Sequence, residues 1–461
     1  MSDTSVSTKP PSGMRDYLPD ELARRRYVID VIREAYESHG FVPLETPAIE
    51  NLSTLLGKYG EEGDQLIYRL LHRRDAFRRA VATAAHEGRP AREAELADLG
   101  LRYDLTVPLA RVVAEYRDLP KYFKRYQIQP VWRADRPGKG RYREFFQCDV
   151  DITGTASLVA DVEVCSAVAS VLDRLGFAGY RIRLNHRELL RALIRAVGIA
   201  DGLEEMALVA VDKLDKIGRE GVCAELAERG VPAAPSARLL DLMVVTAGEG
   251  NDIVLEHLRA ATLDDRGCAA IAQLAEMLEL ARETPAGPRL LVSPDLARGL
   301  SYYTGPIFEV AVPDLAGSLG GGGRYDNLVG MFGKVQVPAV GFSLGLERLL
   351  VVMQERGMFP ELSAGPEMLL CWMDVDRARV LGVATRLRAS GLRVEVYPDK
   401  AKLGKQLQYA DAPGVRAPIA GILGADEIAA GEITLKRLSS GEQRRVPMED
   451  VAATLRQWRT S

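Results

Sequence analysis

Residues 122–154 read YFKRYQIQPVWRADRPGKGRYREFFQCDVDITG, and their alternation is the strongest architectural signal in the chain. Two runs of alternating character flank Arg136-Pro137-Gly138-Lys139-Gly140, which predicts an antiparallel hairpin with a basic loop. Side chains alternate along a strand, so Gln147, Asp149 and Asp151 share one face while Cys148, Val150 and Ile152 take the other. Between Lys121 and Glu144 stand eight basic residues (Lys121, Lys124, Arg125, Arg133, Arg136, Lys139, Arg141, Arg143) against two acidic ones, Asp135 and Glu144. With Arg133 on the polar face, a cation lies beside a row of acceptors. That suits a phosphate on one side and a substrate ammonium or imidazole on the other. A solvated edge hairpin whose charges face water fits the same spacing.

Upstream, Leu22, Val28, Ile32 and Ala35 recur at helical spacing over residues 20–39, and Gly40 is placed to stop the helix. Phe41–Pro47 holds two prolines and reads as an edge strand or extended arm. Residues 66–98, rich in arginine and alanine, read as a helix-rich excursion. Downstream, Leu158, Val162, Cys165, Ala169 and Leu172 mark an amphipathic helix closed by Gly176. Residues 187–288 read as almost purely helical, an inserted subdomain. Strands return at Leu290–Ser293 and Pro306–Val312, then a glycine run, then a helix from about Leu346. A linker is expected at Ser363-Ala364-Gly365-Pro366. Beyond it strand (Met368–Trp372), helix (Asp376–Ala389), strand (Leu392–Tyr397) and helix alternate, which predicts a compact βα domain. The expected division is a discontinuous first domain (1–186 and 289–362), an insertion (187–288) and a last domain (365–461).

Three further blocks carry chemistry. In Ala297–Gly305 an arginine, Arg298, precedes the paired tyrosines Tyr302 and Tyr303, although tyrosine pairs also belong to cores. In Gly320–Asp326 four glycines permit close backbone approach to a ligand, or form a floppy surface loop. No Gly-Lys-Ser/Thr follows, so this is not a phosphate loop of that type. In Val340–Arg348 a glycine-bracketed strand runs into a helix and places Arg348 in its first turn. A cation there opposes the helix dipole, so an anionic ligand nearby explains it better than stability does.

Composition narrows the classes. The chain has 461 residues, 47% hydrophobic and 27% charged, which reads as globular with about three domains. A formal charge of −4 argues against a histone-like binder and against a blanket of charge for an anionic membrane. No apolar run approaches a membrane span and the N-terminus carries no secretory signal, so a cytoplasmic location is expected. Cys148, Cys165, Cys223, Cys268 and Cys371 lie outside metal-ligand spacing of one another, and the histidines are equally scattered. Free thiols and no zinc site follow.

Taken in order, these blocks resemble the class II aminoacyl-tRNA synthetases, specifically the histidyl-tRNA synthetase family. Phe41–Glu50 is similar to the first class II motif, Val131–Arg133 through Phe146-Gln147 to the second, and Gly345–Arg348 to the third. The family's histidine-specific blocks are matched by Arg298–Gly305 with Gly321–Asp326 and by Leu101–Pro108, and Lys402–Gln406 extends the resemblance into the last domain. The resemblance implies an α/β (α+β) fold: an antiparallel-sheet catalytic domain with a helical insertion and a C-terminal βα anticodon-binding domain. It implies activation of L-histidine by ATP with Mg²⁺, transfer to tRNA(His), and a homodimer built on the first motif.

The same resemblance assigns roles. Arg133 and Arg348 hold the α- and γ-phosphates, Arg141 reaches the ATP, and Arg298 approaches the α-phosphate and the carboxylate from the opposite side. Asp104, Thr106 and Gln147 hold the α-ammonium of histidine; Asp151, Tyr303 and Tyr325 reach the imidazole, with Tyr302 beside them. Ser301 stands where aspartate is expected. Lys139, Lys402, Lys405 and Gln406 are candidates for tRNA contact, each weighed against a solvated surface. Residues 365–461 hold fifteen Lys/Arg against twelve Asp/Glu, about +3, which leaves −7 for the remainder. The competing reading is a catalytically silent paralogue that senses histidine as a regulatory subunit in histidine biosynthesis. The presence of Arg133, Arg298, Arg348 and the last domain weighs against it.

Overall fold

The computed structural model describes residues 7–244, 250–261, 263–297, 302–313, 315, 317–333, 335–362 and 364–460. The chain forms two compact units, one of Met1–Asp16 with Arg25–Phe359, the other of Tyr17–Arg24 with Pro360–Ser461.

The first unit contains β1 (Val42–Pro43), β2 (Ile49–Asn51), β3 (Arg69–Leu71), β4 (Ala97–Leu101), β5 (Phe123–Trp132), β6 (Glu144–Thr153), β7 (Arg181–His186), β8 (Leu290–Val292), β9 (Pro306–Ala311), β10 (Gly320–Arg324) and β11 (Ala339–Gly345). Eight of them form one sheet in the order β1-β5-β6-β11-β10-β9-β7-β8. Its interior is antiparallel, and only the edge pairs β1·β5 and β7·β8 run parallel. The expected hairpin is β5–β6, ten residues in each strand. The Phe41–Pro47 arm contributes the two-residue edge strand β1, where Pro43 has no inner ladder bond to lose.

The sheet's two faces differ sharply. On one, Cys148, Val150, Ile152, Val340, Phe342 and Leu344 are at most 3% exposed. They pack under the helix Leu158–Arg174, whose N-cap Ser157 accepts a hydrogen bond from Val159 N. Each fully buried aliphatic or aromatic side chain there stabilises the fold by about 1.5–3 kcal/mol. On the other face, Arg125 lies opposite Asp151, Gln127 opposite Asp149, and Gln129 opposite Gln147. Across the next ladder Gly341 faces Asp151, Ser343 faces Asp149 and Gly345 faces Gln147.

The glycine run is an interior strand, not a surface loop. Ladder bonds to β9 and β11 on both sides hold β10 where propensity alone would not. A Cβ on Gly322 would come within 2.7 Å of Phe342 Cα, so the strand has no room for a side chain at that position. The helical insertion also follows from the ladder: β7 ends at His186 and its parallel partner β8 begins at Leu290. Between them run the helices Arg187–Ala196, Glu204–Val211, Leu214–Glu228, Ala233–Val244, Asn251–Ala260 and Asp265–Ala281. In the 66–98 excursion, helices Arg74–His86 and Glu93–Leu96 separate β3 from β4, and these strands form a small sheet β2-β4-β3. Strands of three to five residues are too short to announce themselves by alternation.

The second unit has β12 (Met368–Trp372), β13 (Val394–Val396), β14 (Ile419–Leu423), β15 (Glu432–Arg437) and β16 (Gln443–Pro447), in the order β13-β12-β14-β15-β16. The predicted helix over 376–389 is Arg377–Ala389, with Asp376 as its cap, accepting from Arg379 N at 3.2 Å. Among the described residues no helix is long and apolar enough to cross a membrane, and no group of three or more His, Cys, Asp or Glu is placed to hold a metal ion.

Candidate active site

The polar face gathers carboxylates at one end. Asp104 follows β4 and is 2% exposed. Its Oδ1 accepts from Val107 N at 3.0 Å and from the Tyr59 hydroxyl at 3.1 Å, which fixes it at the start of the helix Thr106–Glu115. The Tyr302 hydroxyl lies 3.5 Å from Asp104 Oδ2 and is also hydrogen-bonded to Thr106. Asp151, on β6, accepts from the Tyr325 hydroxyl. Tyr302 ties the two groups together, its ring centroid 5.0 Å from Tyr303 and 5.9 Å from Tyr325 in edge-on contacts. Burial pushes the Tyr59, Tyr302 and Tyr325 phenols well above their ordinary range, so all three stay neutral donors.

Two residues that the resemblance did not assign complete this end: Arg125 and Asp149. Arg125 is fully buried and places Nη2 2.9 Å from Asp151, 3.9 Å from Asp149 and 3.2 Å from Leu105 O, to which it donates. One guanidinium therefore joins the Asp104–Thr106 turn to the carboxylates of β6. Alternation signals Asp149, which shares a face with Gln147 and Asp151. Arg125 is signalled only by register across the hairpin, which sequence spacing does not give. Ser343 is hydrogen-bonded to both Gln147 and Asp149.

Among the described residues, Asp104, Asp149 and Asp151 are each at most 2% exposed; the fully buried Arg125 pairs with Asp149 and Asp151, and Asp104 also feels the charge of Arg133. Burial raises all three carboxyl groups above their usual range, Asp149 up to about 7, with Arg125 opposing the rise at each. Gln127 Oε1, Gln147 Oε1 and Asp149 Oδ1 are buried without a hydrogen-bond partner among the described residues, as are Arg125 Nε and Nη1, while Asp151 Oδ2 meets the ion pair with Arg125. Three buried acceptor atoms left unpaired beside three carboxyl groups suit a cationic, hydrogen-donating ligand.

The glycines supply the floor. A Cβ on Gly341 would overlap the Asp151 carboxylate, and one on Gly323 would stand 2.9 Å from the Tyr303 ring. Behind the floor Arg324 pairs with the buried Asp161, lies 3.2 Å from Asp326 and donates to Thr155 O at 2.9 Å. These contacts anchor the end of β10 from which Tyr325 projects.

Cations lie at the other end. Arg133 donates from Nε to Tyr103 O at 3.0 Å, and its guanidinium is sandwiched between Tyr103 (4.2 Å) and Phe145 (5.2 Å). Stacking fixes the plane of the fork that a phosphate would meet. Arg348 is the third residue of the helix Leu346–Glu355 and donates to Ser318 O. Gly140 at the hairpin tip comes close enough that a Cβ there would lie 3.9 Å from Arg348 Cγ. The neighbouring Glu347 accepts from Arg25 at 2.8 Å and from Phe146 N at 3.0 Å, which locks this helix to the hairpin. Arg141 donates to Asp135 at 2.8 Å and Lys139 pairs with Glu355, so both stand on the exposed loop, apart from the carboxylate cluster. Arg298 and Ser301 lie outside the described residues.

In the second unit Lys402 and Lys405 are exposed at the start of the helix Leu403–Ala410. Gln406 departs from expectation. It is fully buried, donates to Trp372 O and Ala401 O at 2.8 Å, and accepts from Trp372 N at 3.0 Å. Its amide is consumed in pinning the helix to β12 and presents nothing to an RNA.

Comparison with known proteins agrees with this arrangement. A family model described as histidyl-tRNA synthetase matches residues 92–349, and one described as an anticodon binding domain matches residues 374–458. The chain is 42% identical over 452 residues to a histidine–tRNA ligase of Cytophaga hutchinsonii, covering 96% of this chain and 98% of that protein. It is 41% identical over 465 residues to one of Gloeobacter violaceus, covering 95% and 96%. Among solved structures, histidyl-tRNA synthetase from Nostoc sp. PCC 7120 aligns with a TM-score of 0.79 at 30% identity, over 98% of this chain and 100% of that one. An ATP phosphoribosyltransferase regulatory subunit/histidyl-tRNA synthetase from Bacillus halodurans shares the fold at 22% identity, with a TM-score of 0.71 over 91% of this chain and 98% of that one. By sequence along nearly its whole length, and by fold, the chain belongs to the histidyl-tRNA synthetase family.

Proposed function

We propose that this protein is a histidine–tRNA ligase, an ATP-dependent, AMP-forming enzyme that acts in the cytoplasm. It converts L-histidine and MgATP to histidyl-adenylate and pyrophosphate, then transfers histidine to the 3′ end of tRNA(His). The observation that carries the reading is one sheet face with buried carboxylates at one end and stacked or anchored arginines at the other. In the first step a histidine carboxylate oxygen attacks the α-phosphorus, and the bond from that phosphorus to the bridging oxygen of pyrophosphate breaks. Charge grows on phosphate oxygens, so the protein must hold two reactants in line and supply fixed cations. Arg133 takes the α-phosphate, Arg348 the γ-phosphate and Arg298 the α-phosphate from the opposite side; Arg141 swings from Asp135 to the nucleotide. Mg²⁺ enters on the phosphates as part of the substrate.

Histidine is chosen at the other end. Asp104, Thr106 and Gln147 accept the ammonium, while Asp151, Tyr303 and Tyr325 read the imidazole. A site that leaves its own buried polar groups unpaired with the wrong ligand discriminates by about 10⁴–10⁵. Residues 365–461 serve as the anticodon-binding domain, with Lys402 and Lys405 on its RNA side and Lys139 near the acceptor end. The functional particle is a homodimer. Val42 and Ile49 in the segment similar to the first class II motif, with Leu71 and Leu99 of the adjoining small sheet, are 36–59% exposed and apolar, and a second copy of the chain covers them. The regulatory alternative is disfavoured because the phosphate-binding arginines and the anticodon-type unit are retained. The test is charging of tRNA(His) by the whole chain, and by a chain ending at residue 364 that retains adenylate formation but loses charging. Histidine binding without adenylate formation in the whole chain would favour the regulatory reading instead.

A further inference from the structure

The helix Arg74–His86 is thinly packed against the first unit. Of its thirteen residues only Ala84 is buried, and isolated helices shorter than about 12–15 residues are marginal in water. Its polar side is also unusual in charge. Residues 69–92 hold seven arginines (Arg69, Arg73, Arg74, Arg78, Arg79, Arg89, Arg92) against Asp75 and Glu87. Arg69, Arg89 and Arg92 are all spent on local carboxylates: Glu93, then Glu87 with Glu95, then Glu95. Arg73, Arg74, Arg78 and Arg79 are all exposed, and among the described residues none has a carboxylate within ion-pair distance. Arg79 reaches only the backbone oxygen of Asp75, at 3.2 Å. Arg74 and Arg78 lie one turn apart on one face, with Arg79 and His86 two turns apart beside them.

The helix is also tethered where a nucleic acid would pass. The segment before β3 is tied to the basic hairpin, since Leu66 O accepts from Ala134 N at 2.9 Å, and Tyr68 O accepts from Leu101 N of β4 at the same distance. Ala134 opens the hairpin's loop. Resting on the ligase reading, which makes tRNA a substrate, we propose that the helix Arg74–His86 is a second tRNA-binding surface, with Arg73, Arg74, Arg78 and Arg79 contacting the phosphate backbone. Planar guanidinium forks match phosphate oxygens, and contacts of this kind position an RNA without reading its sequence. The apolar side of the helix offers no aromatic anchor of the sort a protein partner would bury, since Phe77 is already half-buried against its own chain.

The test is direct binding of tRNA to the full chain by filter retention over a series of salt concentrations, beside histidine-dependent pyrophosphate exchange. The variant is R73Q/R74Q/R78Q/R79Q, and the comparison variant R89Q/R92Q leaves the four arginines intact. The expected result is a Kd for tRNA raised about tenfold or more at low salt. The log–log salt slope becomes smaller by about 3, because each phosphate that an arginine neutralises adds about 0.7–0.9 to it. Pyrophosphate exchange stays at the wild-type level, because the helix is outside the adenylation face. A tRNA affinity and salt slope equal to wild type overturn the proposal, as does an equal loss in R89Q/R92Q. Should the fourfold variant misfold, amide hydrogen exchange of residues 73–86 in the unaltered chain decides: tRNA must slow it, and unchanged exchange refutes the proposed surface. Since tRNA binding is measured without turnover, absent pyrophosphate exchange in the wild-type chain would count against the ligase reading alone.

Discussion

Replacing Arg125 by methionine removes the guanidinium that, among the described residues, Asp149 and Asp151 share, and the burial of all three sets the consequences. Arg125 is 0% exposed and the two aspartates 2% and 1%, so no water stands ready to replace the lost charge. Removing one partner of a buried pair costs about 3–5 kcal/mol if the other stays ionised. The carboxylates avoid that by taking up a proton, at about 1.4 kcal/mol for each unit their pKa rises. Burial already brings Asp149 up to about 7 with Arg125 in place. Without it both carboxyl groups rise further, so the acceptor that Asp151 offers the imidazole loses negative charge. A hydrogen bond to a charged group contributes about 1.5–3 kcal/mol, so the KM for histidine rises roughly 10- to 100-fold. The assay is histidine-dependent pyrophosphate exchange at saturating ATP, from about pH 6 to pH 9, compared with wild type at each pH. The deficit shrinks as pH rises and the carboxylates ionise; Arg125→Lys recovers part of it. A histidine KM within twofold of wild type, or a loss of the same size across the pH range, would show that Arg125 does not set the charge of these acceptors.

Asp149 binds its proton more tightly folded than unfolded, so its contribution to stability is present at acid pH and lost as pH rises toward 7. Asp149→Asn should therefore raise the melting temperature of the ligand-free protein at pH 8 more than at pH 5; a shift of the opposite sign would show that Asp149 is ionised and paired throughout. Gly341→Ala drives a methyl group into the Asp151 carboxylate and should cut adenylation at least tenfold, roughly 1.4 kcal/mol or more; an unaffected rate would mean that the floor is not used. Arg348→Ala should raise the KM for ATP in pyrophosphate exchange and leave histidine binding by calorimetry unchanged; equal losses for both ligands would detach Arg348 from the phosphate.

The alternation of residues 122–154 makes the hairpin and its polar face legible, because a period of two survives in an interior antiparallel strand. The helices over 20–39, 158–174 and 377–389 are legible for the same reason at period 3.6. The glycine strand is not, since a residue without a side chain carries no pattern and its neighbours alone hold it extended. Arg125 is one of the hairpin's eight basic residues, yet its role depends on register with Asp151 across the ladder, which no spacing within one strand reveals. Gln406 shows the converse. Beside two lysines it reads as an RNA contact, but the fold turns it inward against Trp372.

In the proposed reading the carboxylate end of the sheet face selects histidine and the arginine end activates it. This division of labour is tested most directly by pyrophosphate exchange into ATP, run without tRNA and with each of the twenty amino acids in turn. Exchange is predicted with histidine alone, at least a thousandfold above the other nineteen, as about 4 kcal/mol of discrimination requires. Exchange with another amino acid at a comparable rate, or none with any of them in correctly folded protein, would contradict it.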